Sequence, residues 1–218
     1  DTGLRCKKMK TDWQNVHSKV QEKRKKVTFN TMQIIAFGFL GVIFLGSILL
    51  YLPISNQEPI AYLDALFVSV SAVCVTGLVT VFPAAQFTLF GKVVLLGLIQ
   101  IGGLGVIACT MAVFLAIRKK ITMKSRVMIQ QTYNLETLSG MVRFIIRILK
   151  GTVLVEGIGA VLFAFHFVPE YGFIKGVAYG IFHSVSAFCN AGIDVLGTSS
   201  FMEYVSSPLV SLTTMFLI

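Results

Sequence analysis

The two stretches that decide the reading are Phe67-Val-Ser-Val-Ser-Ala-Val-Cys-Val-Thr-Gly-Leu78 and Phe182-His-Ser-Val-Ser-Ala-Phe-Cys-Asn-Ala-Gly-Ile193. At an offset of 115 they share seven identities in twelve positions without a gap: Phe67, Ser69, Val70, Ser71, Ala72, Cys74 and Gly77 match Phe182, Ser184, Val185, Ser186, Ala187, Cys189 and Gly192. A repeat is the first thing to look for in a chain, because it names the folding unit. Each stretch closes an apolar run, residues 60–75 and 174–189, that is too short to cross a bilayer and return: 16 residues make a helix of about 24 Å.

Working outward, each short run lies between longer ones. Met32 to Leu52 carries no charge over 21 residues and is ended by Pro53. Phe87 to Ile117 reads as a second span, interrupted only by Lys92. Ile148 to Val168 is a third, carrying Glu156 and His166, and Pro208 to Ile218 begins a fourth of 11 residues. A span left at that length leads to the expectation that the sequence is a piece of a longer chain. The composition agrees with a membrane protein: 55% of residues are apolar, 13% are charged, and the mean hydropathy is +0.79. A soluble globular domain, a disordered chain and a disulfide-stapled secreted module are all excluded. Cys6, Cys74, Cys109 and Cys189 form no CxxC pair and read as small apolar side chains.

The charges set the orientation. Of 19 Lys and Arg, nine precede the first span and eight lie between Arg118 and Lys150. Basic residues stay on the cytosolic side, so residues 1–30 and the 118–147 connection face the cytosol. The other side carries Glu58, Asp64, Glu170, Asp194 and Glu203 against only Lys92 and Lys175. Residues 1–30 and 118–147 are therefore topology signals, and no nucleic-acid partner is expected. A long basic N-terminus and the absence of a small-residue cleavage site speak against a signal peptide. The 121–141 stretch mixes apolar residues with Lys124, Arg126, Gln130 and Gln131, as a helix lying on the membrane surface does.

With both long neighbours facing outward at that point, a full crossing by residues 60–75 or 174–189 would break the charge assignment. Each is expected to dip in from outside as a half-helix, turn, and leave as an extended strand. Backbone that is not helical at membrane depth is tolerated where it is buried in protein or lines water. The turns Val75-Thr76-Gly77-Leu78 and Asn190-Ala191-Gly192-Ile193 each place one glycine just past the half-helix, where its freedom allows carbonyls to be aimed at an axis. The half-helix presents the negative end of its dipole there. Carbonyl rings of this type make potassium filters. One such glycine would read as a helix cap; two in repeated contexts favour a pore. The expected architecture is an all-α integral membrane protein of repeated span–pore half-helix–filter turn–span units around a pore. Residues 31–117 form the first unit, and residues 148–218 form a second that is truncated in its last span.

The sequence resembles the ion-conducting subunit of the Trk/Ktr/HKT superfamily of K⁺ transporters, nearest the Ktr type. The motifs that carry the likeness are LPIS (52–55), LDALFVSVSAVCVTGL (63–78), LIQIGGLGV (98–106), VPEYG (168–172) and FHSVSAFCNAGI (182–193), covering most of residues 45–218. The resemblance implies a multi-pass plasma-membrane protein with four units around one pore and a cytosolic N-terminus. It implies a homodimer seated on a cytosolic ring of nucleotide-binding regulatory subunits, which would hold the ATP or ADP. K⁺ would be the transported ion, with Na⁺ stimulating or accompanying it by symport. The candidate filter residues are Val75, Thr76, Gly77, Asn190, Ala191 and Gly192. The third unit's gating loop and two of the four filter strands have no counterpart in this sequence.

Other residues admit two readings. Gln100 and Gly102-Gly103-Leu104-Gly105 serve close packing or a hinge. Glu156, an acid inside a span, is a hydrogen-bonding tie to a neighbouring unit or a group near the pore. His166 and His183 read as packed or interfacial. An intramembrane enzyme needs a paired nucleophile and base, and none is seen; Glu156 and His166 lie about 15 Å apart along one helix. A broken-helix carrier for another small solute is the remaining alternative, although such repeats are commonly inverted and these run in parallel.

Overall fold

A computed structural model describes residues 31–105, 108, 141–197, 202, 204 and 206–218. The chain divides into two compact parts, Asp1–Ile34 and Ile35–Ile218, and the helical bundle belongs to the second. Among the described residues its longer helices are α1 Thr31–Tyr51, α2 Tyr62–Val73, α3 Leu89–Leu104, α4 Met141–Tyr171, α5 Phe173–Phe188 and α6 Pro208–Leu217, with short helical turns at Pro53–Ser55 and Pro83–Gln86. Among the described residues there is no sheet, and one isolated bridge pairs Asn56 with Phe87.

α1 has 21 residues, about 31 Å of helix. Pro53 stops it by lacking an N–H, and the motif around it satisfies the carbonyls so exposed. Ser55 Oγ donates to Leu49 O at 2.5 Å, and Asn56 Nδ2 donates to Leu50 O at 2.6 Å and Leu52 O at 3.0 Å. α2 then runs back along α1. Its start is held by Tyr62, whose hydroxyl lies 3.2 Å from Ser47 Oγ and whose ring stands edge-on to Tyr51. Seven residues on, Ser69 Oγ donates to Ile43 O at 2.8 Å. After α2 the chain returns to the end of the bundle where it began: Gln57 N donates to Gln86 O at 2.8 Å, and Gln86 Nε2 donates to Glu58 O at 2.7 Å. Residues 59–85 thus enter and leave at the same end.

Thr88 caps α3, accepting from Gly91 N at 3.3 Å while donating to Ile54 O at 2.6 Å. α3 descends past α1, where Leu98 packs on Gly46, and reaches the end of α2, where Gly102 lies against the carbonyl of Val73. The expected span from Phe87 to Ile117 is described as far as Gly105 and at Ala108. α3 has 16 residues and ends at Leu104, because Gly105 takes φ 85° and ψ 142°, outside the helical region. Hydropathy does not register such a break. Apart from Ala108, which is buried, the remainder of that expected span lies outside the described residues, as do residues 1–30 and most of the 118–147 connection.

α4 is longer at both ends than the expected span of Ile148 to Val168: it starts at Met141 and runs 31 residues. The end of the 118–147 connection is therefore helical. By length and composition Arg143–Tyr171 is long and apolar enough to cross a membrane, whereas Ile35–Tyr51, Tyr62–Val73, Leu89–Leu104 and Pro208–Leu217 are shorter apolar helices. Pro169 is accommodated in the last turn, and Gly172, at φ 82°, reverses the chain into α5. α5 packs back along α4 on glycines: a Cβ at Gly176 would meet the backbone of Val168 at 2.6 Å, and one at Gly180 the carbonyl of Ala160 at 2.8 Å. The chain again comes back to its starting end. Tyr204 donates to Glu170 Oε1 at 2.8 Å and lies 2.8 Å from the Tyr171 hydroxyl. From there α6 descends beside α4 until Leu217 packs on Gly159.

A side-chain bond ties the two halves together: Gln100 Nε2 on α3 donates to Glu156 Oε1 on α4 at 2.9 Å. Interhelical bonds of this kind in an apolar bundle are worth about 0.6–2 kcal/mol. Gln100→Leu is expected to lower the stability of the detergent-solubilised protein by about 1 kcal/mol or more, since it leaves the carboxyl without this amide. Glu156→Gln, which keeps an acceptor for Gln100, is expected to cost less. Thermal unfolding of both variants is the check, and a Gln100→Leu protein as stable as the parent contradicts the assignment.

Candidate functional site

The candidate site is where α2 and α5 end. Both helices terminate in the same way, residue for residue at the offset of 115. Cys74 and Cys189 are the C-caps, at φ −85° and −77°. The next residues, Val75 and Asn190, both take φ 56°; they are the positive-φ residues other than glycine among those described. Glycine follows two positions later, Gly77 at φ 76° and Gly192 at φ 66°. The amides of Thr76 and Ala191 donate back to the carbonyls of Ser71 and Ser186 at 3.0 and 2.8 Å. That six-to-one bond is the helix-terminating pattern usually built around a left-handed glycine. Here valine and asparagine occupy the left-handed position. For a β-branched valine this is a rare conformation costing of order 1–3 kcal/mol, so the surroundings must hold it.

The two turns face each other. A Cβ placed on Gly77 would lie 2.6 Å from the carbonyl oxygen of Ala191 and 3.6 Å from the Cα of Gly192. On Gly192 it would meet only the Cα of Gly77, at 3.9 Å. Of the six residues singled out from the sequence, all lie in this juxtaposition. Val75 and Gly77 are half-buried, Ala191 is buried, and Thr76, Asn190 and Gly192 are exposed. Neither Cys74 nor Cys189 beside them is in a disulfide.

A glycine pair on α3 seats both helix ends. Gly102 faces the carbonyls of Ala72 and Val73 at the end of α2, and Gly103 faces Cys189 at the end of α5, each too closely for a side chain. Neighbouring residues on a helix point about 100° apart, so one helix reaches two partners. Of the two sequence readings of this glycine cluster, close packing describes Gly102 and Gly103, while Gly105 ends the helix. The link between Gln100 and Glu156 lies within a turn of this pair.

Sequence reasoning singled out Ser69, Ser71, Ser184 and Ser186 only as repeated identities. All four are buried. The remaining candidates lie apart from the turns. His183 is buried, its Nδ1 2.7 Å from Tyr179 O and its ring against Phe163, Phe167 and Phe182. His166 stands edge-on to Tyr204, with ring centroids 5.3 Å apart. Burial, then the bonds to Tyr171 and Glu170, raises the Tyr204 phenol above its ordinary range. Among the described residues no group of three or more His, Cys, Asp or Glu is placed to hold a metal ion. The chemistry available at the turns is that of backbone carbonyls at the negative ends of two helix dipoles.

Over 193 residues the chain is 39% identical to the Ktr system potassium uptake protein B of Bacillus subtilis strain 168, covering 88% of this chain and 43% of that protein. It is 38% identical over 201 residues to the potassium/sodium uptake protein NtpJ of Enterococcus hirae, covering 91% and 45%. With the Ktr system potassium uptake protein B of Vibrio alginolyticus the identity is 36%, covering 88% and 42%. The chain thus spans less than half the length of the curated relatives it matches. The sequence profile of the TrkH family, described as a cation transport protein, matches residues 10–218. The chain belongs to the TrkH family of cation transport proteins.

Proposed function

We propose that the chain forms part of the membrane subunit of a K⁺ uptake system, and that residues 75–77 and 190–192 supply two strands of its selectivity filter. The observation that carries this reading is the pair of matched turns, each at the C-terminal end of a half-helix, with glycine backbones in contact. A hydrated cation loses water on entering a narrow path, and carbonyl oxygens replace that water. The carbonyls of Val75, Thr76, Asn190 and Ala191 would serve, with the helix dipoles adding negative potential. The glycines keep the path open where a side chain would fill it.

Each half of the described structure is read as one span–half-helix–turn–span unit around a common axis, entered from outside. The apolar faces that α1, α4 and α6 expose, including Leu45, Ile48, Val153, Phe165 and Met215, suit membrane lipid, and the basic segments suit a cytosolic N-terminus in the plasma membrane. The relatives named as Ktr uptake systems point to partner subunits. A homodimer on a nucleotide-binding ring, gated by ATP or ADP, fits them, and so does Na⁺-stimulated uptake. The relative named for both potassium and sodium makes selectivity the property to measure. All of the relatives named above are uptake proteins, which favours transport over an enzyme.

Two outcomes are expected. In the full-length protein, Gly77→Ser lowers the preference for K⁺ over Na⁺ uptake about tenfold, equivalent to about 1.4 kcal/mol of differential binding. Gly192→Ser lowers it less, because its Cβ makes only an ordinary contact with the Cα of Gly77, at 3.9 Å, and bears the strain of positive φ. Uptake by cells lacking other K⁺ importers, at matched membrane levels, is the measurement; unchanged ratios in both variants contradict the filter assignment. In a cysteine-free background, Gln57→Cys is expected to label with impermeant reagents from outside the cell only, and cytosolic labelling contradicts the orientation.

A further inference from the structure

The repeat carries two serines per half-helix, two residues apart: Ser69 and Ser71 in α2, Ser184 and Ser186 in α5. Residues at that spacing point about 200° apart around a helix, and the structure puts the two to different uses. The first serine of each pair faces the preceding long helix. Ser69 Oγ donates to Ile43 O at 2.8 Å, and Ser184 Oγ donates to Glu156 O at 2.6 Å. Each is seated on a glycine of that helix: a Cβ at Gly46 would lie 2.7 Å from Ser69 Oγ, and one at Gly159 2.5 Å from Ser184 Oγ. The second serine faces its own turn. Ser71 Oγ accepts from Thr76 Oγ1 at 2.9 Å, and Ser186 Oγ donates to Ile193 O at 2.6 Å. The Ser71 and Ser186 carbonyls also receive the Thr76 and Ala191 amides.

We infer that Ser71 and Ser186 are positioning residues that brace the two candidate filter turns from behind and thereby set ion preference, while Ser69 and Ser184 anchor the half-helices to α1 and α4. This rests on the filter reading above. The two braces differ. At the first turn a side chain is held, and the peptide plane beside it follows through Thr76. At the second, the carbonyl of Ile193 itself is committed to Ser186, which fixes the Ile193–Asp194 peptide plane, one residue past Gly192, and turns that oxygen toward α5. All four serines are at most 4% exposed, so solvent does not replace a lost hydroxyl readily. Val75 and Asn190, held at φ 56°, are the residues such a brace would be needed to support.

The test uses the full-length protein with Ser71→Ala, Ser186→Ala, Ser71→Cys, Ser186→Cys, Ser186→Thr, Ser69→Ala and Ser184→Ala. K⁺ and Na⁺ uptake ratios are read beside membrane level and thermal stability. Removing the brace is expected to lower the K⁺ to Na⁺ ratio about two- to tenfold, with Ser186→Thr restoring it. Ser69→Ala and Ser184→Ala are expected to lower stability or amount and leave the ratio of the surviving protein unchanged. The cysteine variants preserve volume should alanine prevent accumulation. Unchanged ratios in the Ser71 and Ser186 variants, with Gly77→Ser still shifting the ratio, overturn the brace and spare the filter; unchanged ratios in all, Gly77→Ser included, overturn both. Loss of all Ser71 and Ser186 variants from the membrane also overturns it, assigning these serines to folding instead.

Discussion

The structure turns on two short helices, α2 and α5, that end beside each other. A helix leaves its last carbonyls without intrahelical partners, and in an apolar bundle each such group must find another. α2 and α5 stop beside each other, so two sets of carbonyls and two dipole ends of the same sign are brought into contact at Gly77 and Gly192. Each turn recovers one carbonyl through its six-to-one bond, Thr76 to Ser71 and Ala191 to Ser186. Like dipole ends repel, and a cation between them converts that repulsion into attraction. A backbone held in this way has a reason to be strained at Val75 and Asn190.

The neighbouring helices are arranged around that demand. α2 and α5 approach α1 and α4 at Gly46 and Gly159, and α3 reaches both half-helix ends through Gly102 and Gly103. In these places a side chain would occupy the space of a carbonyl, a serine hydroxyl or the Cys189 side chain. Because the hydrophobic effect between helices is weak inside a lipid phase, close approach and interhelical polar bonds do more of the holding. The Gln100 to Glu156 bond is the clearest such tie across the two halves.

Much of this was legible because the sequence says it twice. Two short helices, each followed by a glycine turn, were expected from the repeat, and the structure places helices at Tyr62–Val73 and Phe173–Phe188. What escaped was what hydropathy does not encode. The end of α3 at Leu104 lies inside a run that stays apolar to Ile117, and only the backbone of Gly105 reveals it. α4 extends back through Arg143 and Arg147 because long basic side chains can remain in polar surroundings while their backbone stays helical. The partnership of Gln100 with Glu156 spans 56 residues, which no local pattern reports. A left-handed valine contradicts its own propensity. The serines were visible as identities, but their opposite directions follow only from the helix they sit on.

A dehydrated cation between the turns at 75–77 and 190–192 is the centre of the proposed function. Anomalous diffraction from crystals of the full-length protein grown with Tl⁺ or Rb⁺ in place of K⁺ tests this most directly. An anomalous peak is expected on the pore axis, within coordinating distance of carbonyls from both turns. Ordered turns with no peak between them, and heavy-cation peaks confined to other parts of the protein, would contradict it.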